Sequence, residues 1–150
     1  SIDWVSIFLF AGMISVSSAM DKTGAGKLLA KFCVDLLGGT PSPLFVAALL
    51  FLVSSFLTQF MSNTATATLL CPIGVAIAQQ IGASPHAVVM SITIGIACAY
   101  ATPVGTPPNT LVLGPGGYRF MDYVKVGTPL IFVSFIVSMI VIPIVWPFFK

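Results

Sequence analysis

From Leu36 through Tyr118 the chain carries no Asp, Glu, Lys or Arg, and His86 is the one histidine. Two tight polar clusters interrupt this uncharged stretch: Ser62-Asn63-Thr64, and Thr102-Pro103-Val104-Gly105-Thr106-Pro107-Pro108-Asn109. In hydrocarbon an unpaired backbone N–H or C=O costs several kcal/mol. Irregular backbone is therefore tolerated there only where protein or a water-filled cavity surrounds it. Two such interruptions inside apolar runs predict backbone lining a protected polar cavity at membrane depth. Discontinuous helices of carriers build their substrate sites in this way.

Composition agrees with that constraint. The chain is 57% apolar and 7% charged, with a mean hydropathy of +1.08, which predicts an all-α polytopic membrane protein. Glutamate is absent, so the acid–base repertoire is four Asp and one His. An embedded enzyme needs a catalytic pair at depth, and the uncharged stretch holds no His/Asp, Ser/His or metal cluster; the reading is not an enzyme. A net charge of +2 without a basic cluster argues against a nucleic-acid partner. Cys33, Cys71 and Cys98 are odd in number and lie among apolar neighbours, as buried thiols do rather than disulfide or metal ligands. The sequence opens at Ser1 without a methionine or a basic leader, so no signal peptide is visible and we read the chain as a piece of something longer. Thr23-Gly24-Ala25-Gly26 is an incomplete phosphate-loop pattern and carries no weight.

Residues 4–20 are uncharged between Asp3 and Asp21-Lys22, a short membrane span. Over 22–37, Leu28, Leu29, Phe32, Cys33, Leu36 and Leu37 share one helical face, with Lys27, Lys31 and Asp35 on the other. That pattern predicts an amphipathic helix in the interface. Residues 43–81 form two apolar arms around Ser62-Asn63-Thr64. Arm length fits a re-entrant hairpin or two crossings equally well, but the short, neutral, self-capping tip favours the hairpin. Pro72 leaves the Thr68 carbonyl without its helical donor, bending the second arm or freeing an acceptor. Ser84-Pro85 starts the next helix. It is expected to run to about Ala101, break across the Pro/Gly/Thr cluster and resume after Asn109, so that 84–117 is one broken membrane helix. Residues 127–148 are the last span, anchored at the interface by Trp146, Phe148 and Lys150. Three lysines on one side against Arg119 and Lys125 on the other leave orientation undecided by charge.

A helix that stops and restarts at depth leaves free carbonyls at one end and free N–H groups at the other. These carry about −0.5 and +0.5 of a charge, favouring a cation and an anion respectively. Ser62, Asn63, Thr64 and Asn109 add side-chain oxygens. Facing one another, the two breaks would make a neutral cage for a cation beside a donor-rich cradle for an anion. A proton-coupled carrier normally keeps a carboxylate or histidine on its pathway. Hydroxyls and carbonyls suit Na⁺ instead, although an uncoupled exchanger fits the same residues.

Two segments carry a family resemblance: Thr58-Gln59-Phe60-Met61-Ser62-Asn63-Thr64-Ala65-Thr66-Ala67, and Thr102 through Asn109 continuing into Thr110-Leu111-Val112. With the approach Asp3-Trp4 through Ala19-Met20 and Lys22-Thr23-Gly24, they resemble the divalent anion–sodium symporter family of succinate, citrate and sulfate carriers. The resemblance covers nearly the whole chain. It implies the second of two inverted repeats, with a re-entrant hairpin and a broken transmembrane helix, working against the N-terminal half of the same transporter in a homodimer. It further implies elevator-type symport of a di- or tricarboxylate with Na⁺, in a membrane that is bacterial and inner. A sodium-independent exchanger or a sulfate carrier of the same architecture is the alternative, and a non-transporting membrane subunit or truncated product the alternative of another class.

By the same resemblance Thr58, Ser62 and Asn63, with backbone from Gly105 to Pro107, hold Na⁺. Ser62, Asn63, Thr64, Thr106, Pro107 and Asn109 surround the anion, Asn63 and Thr64 touching its carboxylate. The hairpin opens outward and Arg119 is cytoplasmic. The chain departs from the family pattern at Gln59, where some members carry Glu, and at Ala97 and Tyr100, where Ser and Phe are expected.

Overall fold

A computed structural model of the chain describes residues 41–149 together with Thr23. The expected span over 4–20 lies outside the described residues, as does the expected interfacial helix over 22–37 apart from Thr23. Among the described residues the chain is all-helical: α1 (Pro43–Leu57), α2 (Asn63–Gln80), α3 (Pro85–Ala97), α4 (Pro107–Leu113) and α5 (Phe120–Val145).

Local chemistry sets most of these limits. Ser42 caps α1, its hydroxyl accepting from Phe45 N at 3.3 Å with Pro43 in the first turn, where a missing N–H is no loss. Ser62 caps α2 in the same way, accepting from Ala65 N at 3.1 Å. α2 then continues through Pro72 to Gln80. Ser84 and Pro85 occupy the N-cap and first helical positions of α3, but the Ser84 side chain makes no cap bond. Its backbone N–H donates instead to Phe148 O at 2.7 Å, tying the chain beyond α5 to the α2–α3 turn.

Several helix boundaries differ from the sequence reading. α3 ends at Ala97 rather than near Ala101, and α4 begins at Pro107 rather than beyond Asn109. The first shift has a tertiary cause: side chains from elsewhere supply donors to the carbonyls past Ala97. The second follows from Thr106-Pro107 acting as N-cap and first helical residue. α5 begins at Phe120, ahead of the apolar stretch, because the Asp122 carboxylate accepts from Arg119 N at 2.7 Å and closes its first turn.

α3 is the central helix. It packs along both α1 and α2, which touch each other over a shorter stretch, and α5 lies against α1 and α3. Leu50, Leu70, Ile77, Val88 and Ile92 interlock at the junction of α1, α2 and α3. Lipid offers helices little hydrophobic reason to associate, so close backbone approach and dispersion must supply the contact. At Gly95 a Cβ would collide with Ser54 Oγ and the Phe51 carbonyl, so α3 meets α1 backbone to backbone. At Gly127 a Cβ would strike the Tyr100 carbonyl and Ala101 Cα, bringing α5 flush against the break after α3.

α5 also serves as a ruler. Its 26 residues extend about 39 Å at 1.5 Å each, enough to cross a hydrocarbon core of about 30 Å, and Phe132, Ile136 and Ile140 are exposed along it. α1 and α3, with 15 and 13 residues, reach only about 22 and 20 Å. Phe51 of α1 sets its ring edge-on to Phe135, centroids 5.5 Å apart. The hydroxyl of Tyr100 lies 2.9 Å from Ser134 Oγ.

Candidate functional site

The two polar clusters meet through α1 and α3. Where α1 ends, Thr58 is fully buried, and its hydroxyl lies 2.7 Å from Asn63 Oδ1 and 3.1 Å from Ile96 O. One proton serves both acceptors. Three oxygens from the hairpin tip and the end of α3 thus converge with a single hydrogen among them, and none carries a formal charge. The cluster reaches the surface on one side: Asn63 and Ser62 are exposed and Thr64 is half-buried. Ser62 spends its hydroxyl on the α2 cap, and its carbonyl accepts from Thr66 Oγ1 at 3.1 Å.

Gln59, next to Thr58, binds the tip to the break more extensively than any residue the sequence reading selected. Its Nε2 donates to Ser55 O and Cys98 O, both at 2.8 Å. Its Oε1 accepts from Ala101 N at 3.1 Å, and its backbone carbonyl accepts from Thr102 Oγ1 at 2.8 Å. Gln59 is 5% exposed. A carboxamide is the one neutral side chain type that can donate twice and accept at the same site. A glutamine beside the tip of a charge-free hairpin was the available signal, and the sequence reading noted only its neutrality.

The break is knitted from within. Asn109 Nδ2 donates to Ala99 O and Thr102 O, each at 2.9 Å, and Thr110 Oγ1 donates to Pro103 O at 2.7 Å. Tyr123 of α5 donates to Asn109 O at 2.8 Å. The carbonyls of Cys98, Ala99, Thr102 and Pro103 and the N–H of Ala101 are therefore already paired. The sequence reading had the ends of the broken helix as open polar groups. Pairing by Gln59, Asn109 and Thr110 avoids the cost of leaving them bare.

Gly105 is buried and Thr106 half-buried at the N-cap of α4, without a side-chain cap bond, while Pro107 is exposed. Among the described residues no hydrogen bond joins Ser62, Asn63 or Thr64 to Thr106 or Asn109; Gln59 and Thr102 make the connection. A further cavity of about 380 Å³ opens between the break and the start of α5, lined by Tyr100, Asn109, Tyr118, Asp122, Tyr123 and Gly127 among others.

Among the described residues, short apolar helices gather round a buried polar network beside one helix long and apolar enough to cross a bilayer. The chain belongs to the citrate transporter family, whose sequence profile matches residues 1–149. It is 42% identical over 148 residues to an uncharacterized transporter of Escherichia coli K12, YfbS, covering 99% of this chain and 24% of that protein. An uncharacterized transporter of Synechocystis is 38% identical over 130 residues, covering 87% of this chain and 21% of that one. The sodium-dependent dicarboxylate transporter SdcS of Staphylococcus saprophyticus is 30% identical over 139 residues, covering 93% and 26%. The chain thus spans about a quarter of the length of the curated relatives it matches.

Proposed function

We propose that the chain is the second repeat of a sodium-coupled carrier of di- or tricarboxylate anions. The observation that carries this reading is the convergence of Thr58 Oγ1, Asn63 Oδ1 and Ile96 O around one shareable proton. Hard cations take neutral and anionic oxygens as ligands. An ion here would be held without a carboxylate, so its full charge remains to attract an anion. In this reading Thr58, Ser62 and Asn63, with backbone between Gly105 and Pro107, hold Na⁺. Ser62, Asn63, Thr64 and Thr106 face the anion and Pro107 lines its site. With both amide hydrogens held by Ala99 and Thr102, Asn109 contributes by fixing the backbone of the break.

Residues 43–81 are the re-entrant hairpin, 84–117 the broken helix and 127–148 the last span, preceded by a span at 4–20 and an interfacial helix at 22–37. Support for the hairpin comes from length: α1 reaches only about 22 Å, and its far end is bonded to a break lying along the first half of α5. The carrier's other half completes the site. The protein works as a homodimer in the bacterial inner membrane, moving its substrate-bearing part against a fixed scaffold. The name of SdcS, a sodium-dependent dicarboxylate transporter, supports the cargo and the coupling.

The test is uptake of labelled succinate, citrate and sulfate into vesicles holding the complete transporter, with and without an inward sodium gradient. Carboxylate uptake that follows the gradient is the expected outcome. Equal uptake without sodium would make the protein an exchanger, and uptake of sulfate alone would assign a different cargo.

A further inference from the structure

We infer that the Gln59 carboxamide is a positioning residue: a clasp that holds the hairpin tip and the broken helix as one unit and so fixes the spacing of the Thr58, Asn63 and Ile96 oxygens. The inference rests on the cation site proposed above.

Ile96 and Cys98 sit on the end of α3, while Thr58 and Asn63 flank the tip. Direct contact between these two parts at the cation cluster is one shared hydroxyl proton, which a bound ion would displace. Some other contact must then keep the parts together. Gln59 is adjacent to Thr58 and bonds two residues beyond Ile96, at Cys98 O, and again at Ala101 N, while Thr102 bonds back to its carbonyl. Its second amide hydrogen goes to Ser55 O, one turn back in α1, so the side chain cannot swing without losing bonds on both sides. Both amide hydrogens are engaged, and Oε1 is paired with the Ala101 N–H, at 5% exposure. That pairing and burial separate Gln59 from the exposed groups that would touch the ion.

The surroundings make the clasp sensitive to one atom. Nε2 faces two carbonyl oxygens, and only a group carrying hydrogen fits there. Between residues 41 and 118 the chain has no Asp, Glu, Lys or Arg. Cys98 and Tyr100 are the titratable groups adjoining this point of the break, and they bond to each other at 3.0 Å. A carboxylic acid in place of the carboxamide could donate to one carbonyl while protonated. Once ionised it would face both with negative charge, which low-dielectric surroundings penalise.

The experiment uses the complete transporter in vesicles, with Gln59→Leu, Gln59→Glu, Thr58→Ala and wild type compared for the sodium dependence of uptake. Backbone hydrogen exchange across residues 98–104 is followed in parallel. Gln59→Leu should speed exchange at Ala101 and raise the half-saturating sodium concentration about tenfold or more. Gln59→Glu should approach wild-type sodium dependence at low pH and lose it as the pH rises between about 5 and 8, across which wild type stays flat. Unchanged exchange in Gln59→Leu overturns the clasp, and so does a Gln59→Glu profile parallel to wild type. Faster exchange with wild-type sodium dependence, while Thr58→Ala does alter it, overturns the positioning role alone. If neither Thr58→Ala nor Gln59→Leu alters sodium dependence, the proposed cation site has failed and the positioning role goes with it.

Discussion

Thr58 and Asn63 face each other across the tip of the α1–α2 pair, the threonine hydroxyl 2.7 Å from Asn63 Oδ1. The tip is thereby closed by a bond from the C-cap residue of one helix to the first residue of the next. The same hydroxyl reaches α3 through Ile96 O, so one buried oxygen touches all three helices that enclose the polar site.

That geometry sets the first expectation. Thr58→Ala leaves Asn63 Oδ1 and Ile96 O without their donor and removes one oxygen from the cluster, a loss of about 1–3 kcal/mol. Sodium titration of uptake by the complete transporter should show weaker sodium dependence for Thr58→Ala and near wild-type behaviour for Thr58→Ser, which keeps the hydroxyl. Equal sodium dependence in all three proteins would remove Thr58 from the proposed cation site.

Asn109→Asp exchanges two donated hydrogens for a carboxylate directed at the Ala99 and Thr102 carbonyls. Buried acceptors left unpaired cost about 1–3 kcal/mol each, more beside a charge. The variant should unfold at a lower temperature in detergent and lose uptake. Wild-type thermal stability would show that the break does not depend on this side chain.

Gly95 permits α3 to meet α1 without an intervening side chain. Gly95→Ala should lower stability by about 1–3 kcal/mol, the usual cost of overpacking. Adding Ser54→Ala should relieve little of it, since the Phe51 backbone carbonyl stands in the way as well. Full rescue by Ser54→Ala would mean that the two helices can separate more easily than this packing implies.

Ser62 lies at the exposed end of the tip. A cysteine there, in an otherwise cysteine-free background, should react poorly with bulky impermeant thiol reagents and more slowly still with sodium and substrate present. Free reaction, indifferent to either ligand, would make the tip an ordinary loop in water.

The sequence carried the helical class and the positions of both interruptions, because Pro, Gly and the capping residues Ser42 and Ser62 act locally. Helix limits that depend on distant partners were not legible. Nothing near Ala97 says that α3 must stop there; Gln59 and Asn109 supply the donors that make stopping cheap, and they are remote in sequence. Pro72, read as bending the second arm or freeing the Thr68 carbonyl, lies inside α2, which continues to Gln80. At the candidate site Ser62 and Asn63 stood out as oxygen-bearing residues at an interruption, while Thr58 was implied by the family resemblance. Gln59 and Ile96 did not, since one reads as a neutral substitution and the other as an ordinary apolar residue whose contribution is its backbone carbonyl.

The bonds from the tip to Ile96 and Ala101 join residues 38 and 42 positions apart. A chain growing from the ribosome therefore delivers the polar tip well before the groups that satisfy it. During that interval Thr58 and Gln59 have within the chain only their local partners Asn63 and Ser55, and their remaining bonding groups pair with water or the insertion machinery, so the α1–α2 pair does not settle in lipid as a finished unit. Its entry should then wait on α3, and substitutions between Ile96 and Thr102 are expected to change how much protein reaches the membrane as well as sodium-dependent uptake.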